Sequence, residues 1–295
     1  MKNKCGLVAI VGRPNVGKST LLNKILDFKL SITSRKAQTT RHKILGIKTE
    51  KNIQAVYVDT PGLHSGRRKK LHRIINRAAL SALEDVDIVV FVVDFYRWSE
   101  DDARVLSAIS KFSRPVILAL NKTDQLKDKK KLLPTMQDLS SKYQFAALVP
   151  ISAKNGRGVD DLEKEISELL PEKDFYFDED QLTDRNDRFL VSEIIREKLM
   201  RLLGKEVPYE VTVEVELFKE DEKIVHIAAV IYVERSGQKV IIIGKKGEKL
   251  KLIGSSARKD IEKLLGKKVY LQLWVKVKTG WTDDERMLKD LGYSE

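Results

Sequence analysis

Eight residues, GRPNVGKS from Gly12 to Ser19, constrain this chain more than any other stretch. They follow CGLVAIVG, a strand-like apolar run, and lead into TLLNKILDF, whose apolar residues recur at helical spacing. A strand that enters a glycine-bearing loop and leaves as a helix is the context phosphate binding needs. The glycines let backbone N–H groups converge on the anion, and the helix N-terminus supplies free amides and a favourable dipole. Lys18 is expected to reach the β and γ phosphates and Ser19 to ligate Mg²⁺. Gly12, Arg13, Pro14, Asn15, Val16, Gly17, Lys18, Ser19 and Thr20 are therefore the candidate phosphate-site residues.

Three further motifs follow, each at the end of a hydrophobic run. QAVYVDTPGL ends in Asp59, Thr60, Pro61 and Gly62, followed by Leu63. Ligands of open parallel sheets sit at that edge. Asp59 is the natural residue to orient the water around Mg²⁺, and a Gly62 N–H can approach the γ-phosphate. PVILALNKTD supplies Asn121, Lys122, Thr123 and Asp124. The Asp124 carboxylate can accept from the ring N1–H and the exocyclic amine of guanine, a donor pair that adenine lacks. ALVPISAKNG brings Ser152, Ala153 and Lys154 to the same edge, with the backbone of Ala153 expected near the guanine O6.

Together, in this order, these four elements resemble those of the translation-factor-like GTPases. The resemblance implies a P-loop GTPase domain with a mostly parallel sheet, GTP or GDP as ligand, and Mg²⁺ as cofactor. SRKAQTTRH, residues 34 to 42, stands where that family places its first switch, and either Thr39 or Thr40 is the Mg²⁺-sensing threonine. The expected catalytic group is Lys18, Asp59, Gly62 and Asn15. Ras-like GTPases carry a water-orienting glutamine where this chain has Leu63, so intrinsic turnover should be slow. In some GTPases with a hydrophobic residue there, the asparagine of this loop helps to hold K⁺. Asn15 occupies that position, which makes K⁺ a further candidate cofactor.

Charge distinguishes the rest of the chain. Of the net +12, residues 1–172 account for all, with 31 basic and 19 acidic side chains, yet residues 235–278 alone carry 13 basic and 3 acidic ones. Such a block suggests an anionic partner. RRKK at 67–70 and KDKKK at 127–131 read as solvated loops, the four histidines have no metal-ligand spacing, and Tyr57, Phe91 and Phe95 read as sheet packing. Cys5, the one cysteine, reads as a structural thiol. The longest apolar runs are far short of a membrane span, and the N-terminus lacks a cleavage site, so a cytoplasmic protein is expected.

A helix stopped at Pro171 leads to an acidic connector, giving a domain over 1–172, a linker over 173–184 and a second domain over 185–295. RFLVSEIIREKLMRLLG reads as an amphipathic helix, and two strands, a short helix, a longer helix and a third strand follow. WTDDERMLKDLGY carries a Thr282-x-x-Glu285 spacing, which predicts a short capped helix over the sheet. The turn Gly244-Lys245-Lys246-Gly247 joins the paired helices, with Lys249 and Lys251 just beyond. That order resembles an α+β type II KH domain, which implies a clamp on the backbone of about four single-stranded nucleotides.

The join of these two domains resembles the bacterial Era family over essentially the whole chain. That resemblance implies binding of single-stranded RNA at the 3′ end of 16S ribosomal RNA, and assembly and maturation of the 30S subunit. It also implies peripheral contact with the inner membrane and a monomer. A rival reading is an assembly scaffold in which GTP is mainly a structural ligand. An RNA-modifying enzyme ranks last, because the chain has no cysteine nucleophile, metal cluster or methyl-donor loop.

Overall fold

The computed structural model describes residues 2–34, 36, 39–61, 70–81, 83–126, 128, 130, 132–204 and 210–293. In chain order the elements are β1 (Lys4–Val11), α1 (Lys18–Ile25), β2 (Ile44–Glu50), β3 (Ile53–Asp59), α2 (Lys70–Ser81), β4 (Ile88–Asp94), α3 (Glu100–Ile109), β5 (Val116–Asn121), α4 (Leu132–Ser140), β6 (Ala147–Pro150) and α5 (Val159–Leu169). They continue as α6 (Asp187–Leu202), β7 (Val211–Glu220), β8 (Ile224–Val233), α7 (Ser236–Ile243), α8 (Glu248–Leu265), β9 (Lys268–Val277) and α9 (Glu285–Asp290). Two compact units result. One comprises Met1–Ser31, Thr40–Gly66 and Ile75–Asp184; the other comprises Ile32–Thr39, Arg67–Ile74 and Arg185–Glu295.

The first unit holds a six-stranded sheet in the order β2-β3-β1-β4-β5-β6, parallel except for the antiparallel β2–β3 pair. Its central strands are continuous apolar runs, such as IVVFVVD in β4 and VILALN in β5, because helices cover both faces of a parallel sheet. Phe91 and Phe95 pack in the core with Val11, Val58 and Leu118. Tyr57 is buried, and Cys5 is fully buried with its thiol donating to Gln54 Oε1. Burial pushes that thiol's pKa up, as befits an inert group.

The stretch 173–184, expected as a linker, belongs to this unit. The Tyr176 and Phe177 N–H groups donate to Gln54 Oε1, Ile47 N–H donates to the Leu182 carbonyl, and the Thr183 hydroxyl donates to the Leu45 carbonyl. β2 is an edge strand whose outward backbone groups need partners, and the connector supplies them.

In the second unit β7, β8 and β9 form one sheet, β7–β8 antiparallel with a bulge between Val215 and Leu217, and β8–β9 parallel. Val191, Ile195, Leu199, Ile231, Ile253 and Ile261 belong to its core. Two expectations need correction. Thr282 does not cap the last helix; Asp284 does, accepting from the Met287 N–H, while Thr282 is buried and donates to Glu234 Oε1 (2.6 Å). Nor is α6 amphipathic: Glu193, Arg196, Glu197 and Lys198 are all buried. Charges enter a core only when paired, and Arg196 bonds both Glu193 oxygens while Lys198 bonds Asp260.

Candidate nucleotide site and RNA groove

The phosphate loop closes the gap between β1 and α1 at the carboxyl edge of the first sheet. Its conformation is one that only its glycines accept. A Cβ on Gly12 would lie 2.4 Å from the Val92 carbonyl oxygen, and one on Gly17, at φ 107°, would lie 2.4 Å from Asn121 Nδ2. Asn15 also takes a left-handed backbone, φ 65°, which asparagine tolerates, and its side chain is exposed. Lys18 is folded back and buried, its Nζ donating to the carbonyls of Gly12 (2.9 Å) and Arg13 (3.1 Å). Desolvation lowers its pKa to about 8, a shift that the nearby Asp59 carboxylate opposes.

Asp59 closes β3 and is fully buried. Its Oδ2 accepts from the hydroxyls of Ser19 (3.0 Å), Ser31 (2.8 Å) and Thr40 (3.2 Å), and Ser19 and Thr40 lie 2.8 Å apart. Burial raises the pKa of its carboxyl, against the opposing pull of Lys18 and the three hydroxyls. The other oxygen, Oδ1, is buried without a hydrogen-bond partner. A carboxylate with one oxygen unspent beside two hydroxyls is the donor set that hydrated Mg²⁺ accepts.

Thr40 therefore stands among these groups and Thr39 does not. The Thr39 hydroxyl donates to the Lys36 carbonyl (2.7 Å) and meets Ser34 Oγ, within the second unit. Thr60 donates to the Ile10 carbonyl and Pro61 is buried, whereas Gly62 and Leu63 lie outside the described residues.

At the base-recognition edge, Asn121 bonds three backbone groups. Its Nδ2 donates to the Val16 carbonyl (2.7 Å), and its Oδ1 accepts from the N–H groups of Lys122 (2.7 Å) and Ala153 (2.9 Å). Thr123 donates to the Ile151 carbonyl, and Ser152 donates to Asp124 Oδ1 (2.7 Å), which orients that carboxylate. Lys154 is exposed. Asp94 and Asp102 belong to this frame as well. Lys122 pairs with Asp94 at 2.7 Å, and Arg13 Nε pairs with Asp102 at 2.9 Å. Asp102 in turn accepts from Ser99 in the capping box of α3. The end of a strand and a capping aspartate were the available signals for these two.

In the second unit the turn between α7 and α8 is held open by its backbone. Gly244 has φ 71° and ψ −178°, Lys246 has φ 49° and Gly247 has φ 80°. Lys245 and Lys246 are exposed. Beside the turn lies a groove of about 480 Å³ that Gly247, Lys251, Gly254, Arg258 and Tyr270 help to line. Lys249 does not line it; its Cβ packs where a Gly244 side chain would be. Arg258 and Tyr270 were missed in the sequence, although Lys251, Gly254 and Arg258 share one face of α8 at helical spacing.

Comparison with known proteins bears on both sites. Residues 7–122 match the family described as "50S ribosome-binding GTPase" and residues 206–282 match "KH domain". The GTPase Era of Pseudomonas aeruginosa is 59% identical over 293 residues, 99% of this chain and 96% of that protein. This chain belongs to the Era GTPase family. Era of Ectopseudomonas mendocina is 60% identical over 99% of the chain and 97% of its own length. Two Era crystal structures are similar across 99% of this chain and all of theirs. An Aquifex aeolicus Era variant bound to GDP·AlF4⁻ has a TM-score of 0.95 at 39% identity. Era in complex with MgGDPNP and nucleotides 1506–1542 of 16S ribosomal RNA has a TM-score of 0.96 at 40% identity.

Proposed function

We propose that this chain is a GTP-hydrolysing switch that grips single-stranded RNA at the 3′ end of 16S ribosomal RNA and assists assembly of the 30S subunit. The observation that carries this reading is the pairing, in one chain of the Era family, of an Asp59–Ser19–Thr40 cluster with an exposed Gly-Lys-Lys-Gly turn beside a basic groove. A related Era that holds both a nucleotide and such RNA supports it.

In this reading the loop amides and Lys18 stabilise the charge that builds on the transferred phosphoryl group. Ser19, Thr40 and Asp59 are the residues that would hold hydrated Mg²⁺, which would supply positive charge against the phosphates. Asp124, oriented by Ser152, selects guanine. Asp124→Asn keeps one acceptor but loses a charged hydrogen bond, so guanine nucleotide affinity should fall about ten- to hundredfold. Xanthine presents an oxygen in place of the amine, so its nucleotides should gain affinity. Titration of both nucleotide series on the variant checks this.

Asn15, exposed at the loop, is the residue that would hold K⁺, which would add positive charge beside the phosphates. Turnover should be faster in K⁺ than in matched Na⁺, and Asn15→Ala should remove the difference. Equal wild-type rates in the two salts would discard the K⁺ role.

The reading as a whole is tested with labelled RNA matching the 16S 3′ end, in the presence of GTP analogue, GDP or neither, at two salt concentrations. Binding that changes with the nucleotide supports a switch. Equal binding in all three states would leave an RNA grip without a switch. The reading extends to action in the cytoplasm as a monomer, with peripheral contact at the inner membrane; these rest on the family resemblance. Among the described residues no helix is long and apolar enough to cross a membrane.

A further inference from the structure

Within the first unit the phosphate loop is tied down on two sides. Asn121 holds its later part through the Val16 carbonyl. The earlier part is held by the Arg13 side chain, which reaches the start of α3: its Nε donates to Asp102 Oδ2 at 2.9 Å and its Nη2 to the Arg97 carbonyl at 3.2 Å. Asn121 stands in one of the four nucleotide motifs, and Asp102 stands in none.

The helix itself fixes Asp102 in place. Asp102 is 0% exposed, and beside Arg13 its Oδ2 also accepts from the Ser99 N–H at 2.9 Å and the Ser99 hydroxyl at 2.7 Å. Three donors crowd one oxygen while the other, Oδ1, is buried without a partner. A helix cap alone does not call for this, since burying an ionised carboxylate is costly unless a cation pairs with it. The cation that Asp102 meets is Arg13. The charges continue to alternate beyond it, because Arg13 Nη2 lies 4.0 Å from Asp94 Oδ2, which pairs with Lys122 Nζ at 2.7 Å.

The backbone of Arg13 connects this pair to the phosphate site. Its carbonyl accepts from Lys18 Nζ at 3.1 Å, next to the Gly12 carbonyl at 2.9 Å. A planar guanidinium bonded at two nitrogens leaves its residue little freedom, and the peptide that carries the Lys18 acceptor is fixed with it. Loop amides held beforehand lose less freedom when phosphate arrives, which strengthens binding.

We infer that Asp102 is a positioning residue for the phosphate loop, acting through Arg13 to hold residues 12–14 in place for the phosphates that GDP and GTP share. This deepens the proposed function and rests on its reading of the loop as a nucleotide site. Charge alone predicts the opposite sign. A carboxylate near a polyanion's site repels the ligand, so removing one by itself would tighten binding. A fall in affinity therefore reports position.

The test measures GDP and a non-hydrolysable GTP analogue by fluorescence titration on the full chain. Asp102→Asn keeps the shape and an acceptor for Ser99 but loses the charge that grips Arg13. Both affinities should fall about tenfold, with the preference between the two nucleotides unchanged. In an Arg13→Met background, the same substitution should cause no further loss. Ser99→Ala weakens the helix cap and keeps the ion pair, so it should lower the thermal midpoint and leave both affinities at the wild-type value. Wild-type or tighter binding by Asp102→Asn overturns the inference, as does a further tenfold loss in the Arg13→Met background or an equal loss in Ser99→Ala. Should Asp102→Asn not fold alone, the double variant, which strands no charge, decides the matter: a tenfold loss supports the inference and wild-type affinity overturns it. Each of these outcomes leaves the nucleotide reading standing, whereas a wild-type protein that binds neither nucleotide overturns both.

Discussion

Lys18→Met is expected to lower GTP turnover about a thousandfold while making the nucleotide-free protein more resistant to unfolding. The two effects share one cause. Lys18 is buried against backbone carbonyls, and desolvation brings its pKa from 10.5 to about 8. A lowered lysine pKa is a cost to the folded state wherever the group is protonated, about 3 kcal/mol at neutral pH from a shift of this size. Methionine fills similar volume without that cost, although it forfeits the bonds to the Gly12 and Arg13 carbonyls. The sign follows from linkage. Between pH 8 and 10.5 the unfolded chain binds more protons at this site, so the site's contribution to stability rises with pH through that window. The variant should lack that rise. Thermal unfolding at several pH values, with a single-turnover assay alongside, checks both halves. A variant that unfolds globally would favour the scaffold reading, in which nucleotide is a structural ligand.

Gly247→Asp should abolish RNA binding, by about a thousandfold or more, at a backbone cost of about 1–2 kcal/mol that leaves the fold in place. Gly247 takes φ 80°, a left-handed conformation that aspartate tolerates better than most residues, and nothing lies within 4 Å of where its Cβ would stand. The loss is electrostatic, because a carboxylate placed where a phosphate must sit meets like-charge repulsion of several kcal/mol. Gly244 offers the contrast. A Cβ there would lie 2.7 Å from Lys249 Cβ, so Gly244→Asp should damage the turn itself. Far-ultraviolet circular dichroism and RNA titration on the two variants separate loss of grip from loss of structure. Unchanged RNA affinity in a folded Gly247→Asp protein would move the RNA site away from this turn.

What was legible in the sequence had local causes. The phosphate loop, Asp59, Asn121 and Asp124 announce themselves because each follows a hydrophobic strand and each needs a specific residue type at a fixed offset. Thr39 and Thr40 are not separable that way, since both stand in one polar run. Only the bond from Thr40 to Asp59, nineteen residues away in sequence, distinguishes them. Arg196 and Glu193 were invisible for a related reason. They stand three residues apart on a helix expected to be amphipathic, and nothing local signals their burial. The Thr282 spacing misled because Glu234 lies 48 residues away and claims its hydroxyl.

Asn121 carries a consequence for how such a chain can change over generations. Its amide joins the Val16 carbonyl in the phosphate loop to the Ala153 N–H beside the base, and leaves little capacity for the ligand itself. Choice of base and grip on phosphate are thereby inherited together. A lineage drifting toward another nucleotide can experiment at Asp124, where a lost contact weakens one interaction, but a change at Asn121 loosens two loops at once. That asymmetry channels mutation toward altered preference before altered architecture.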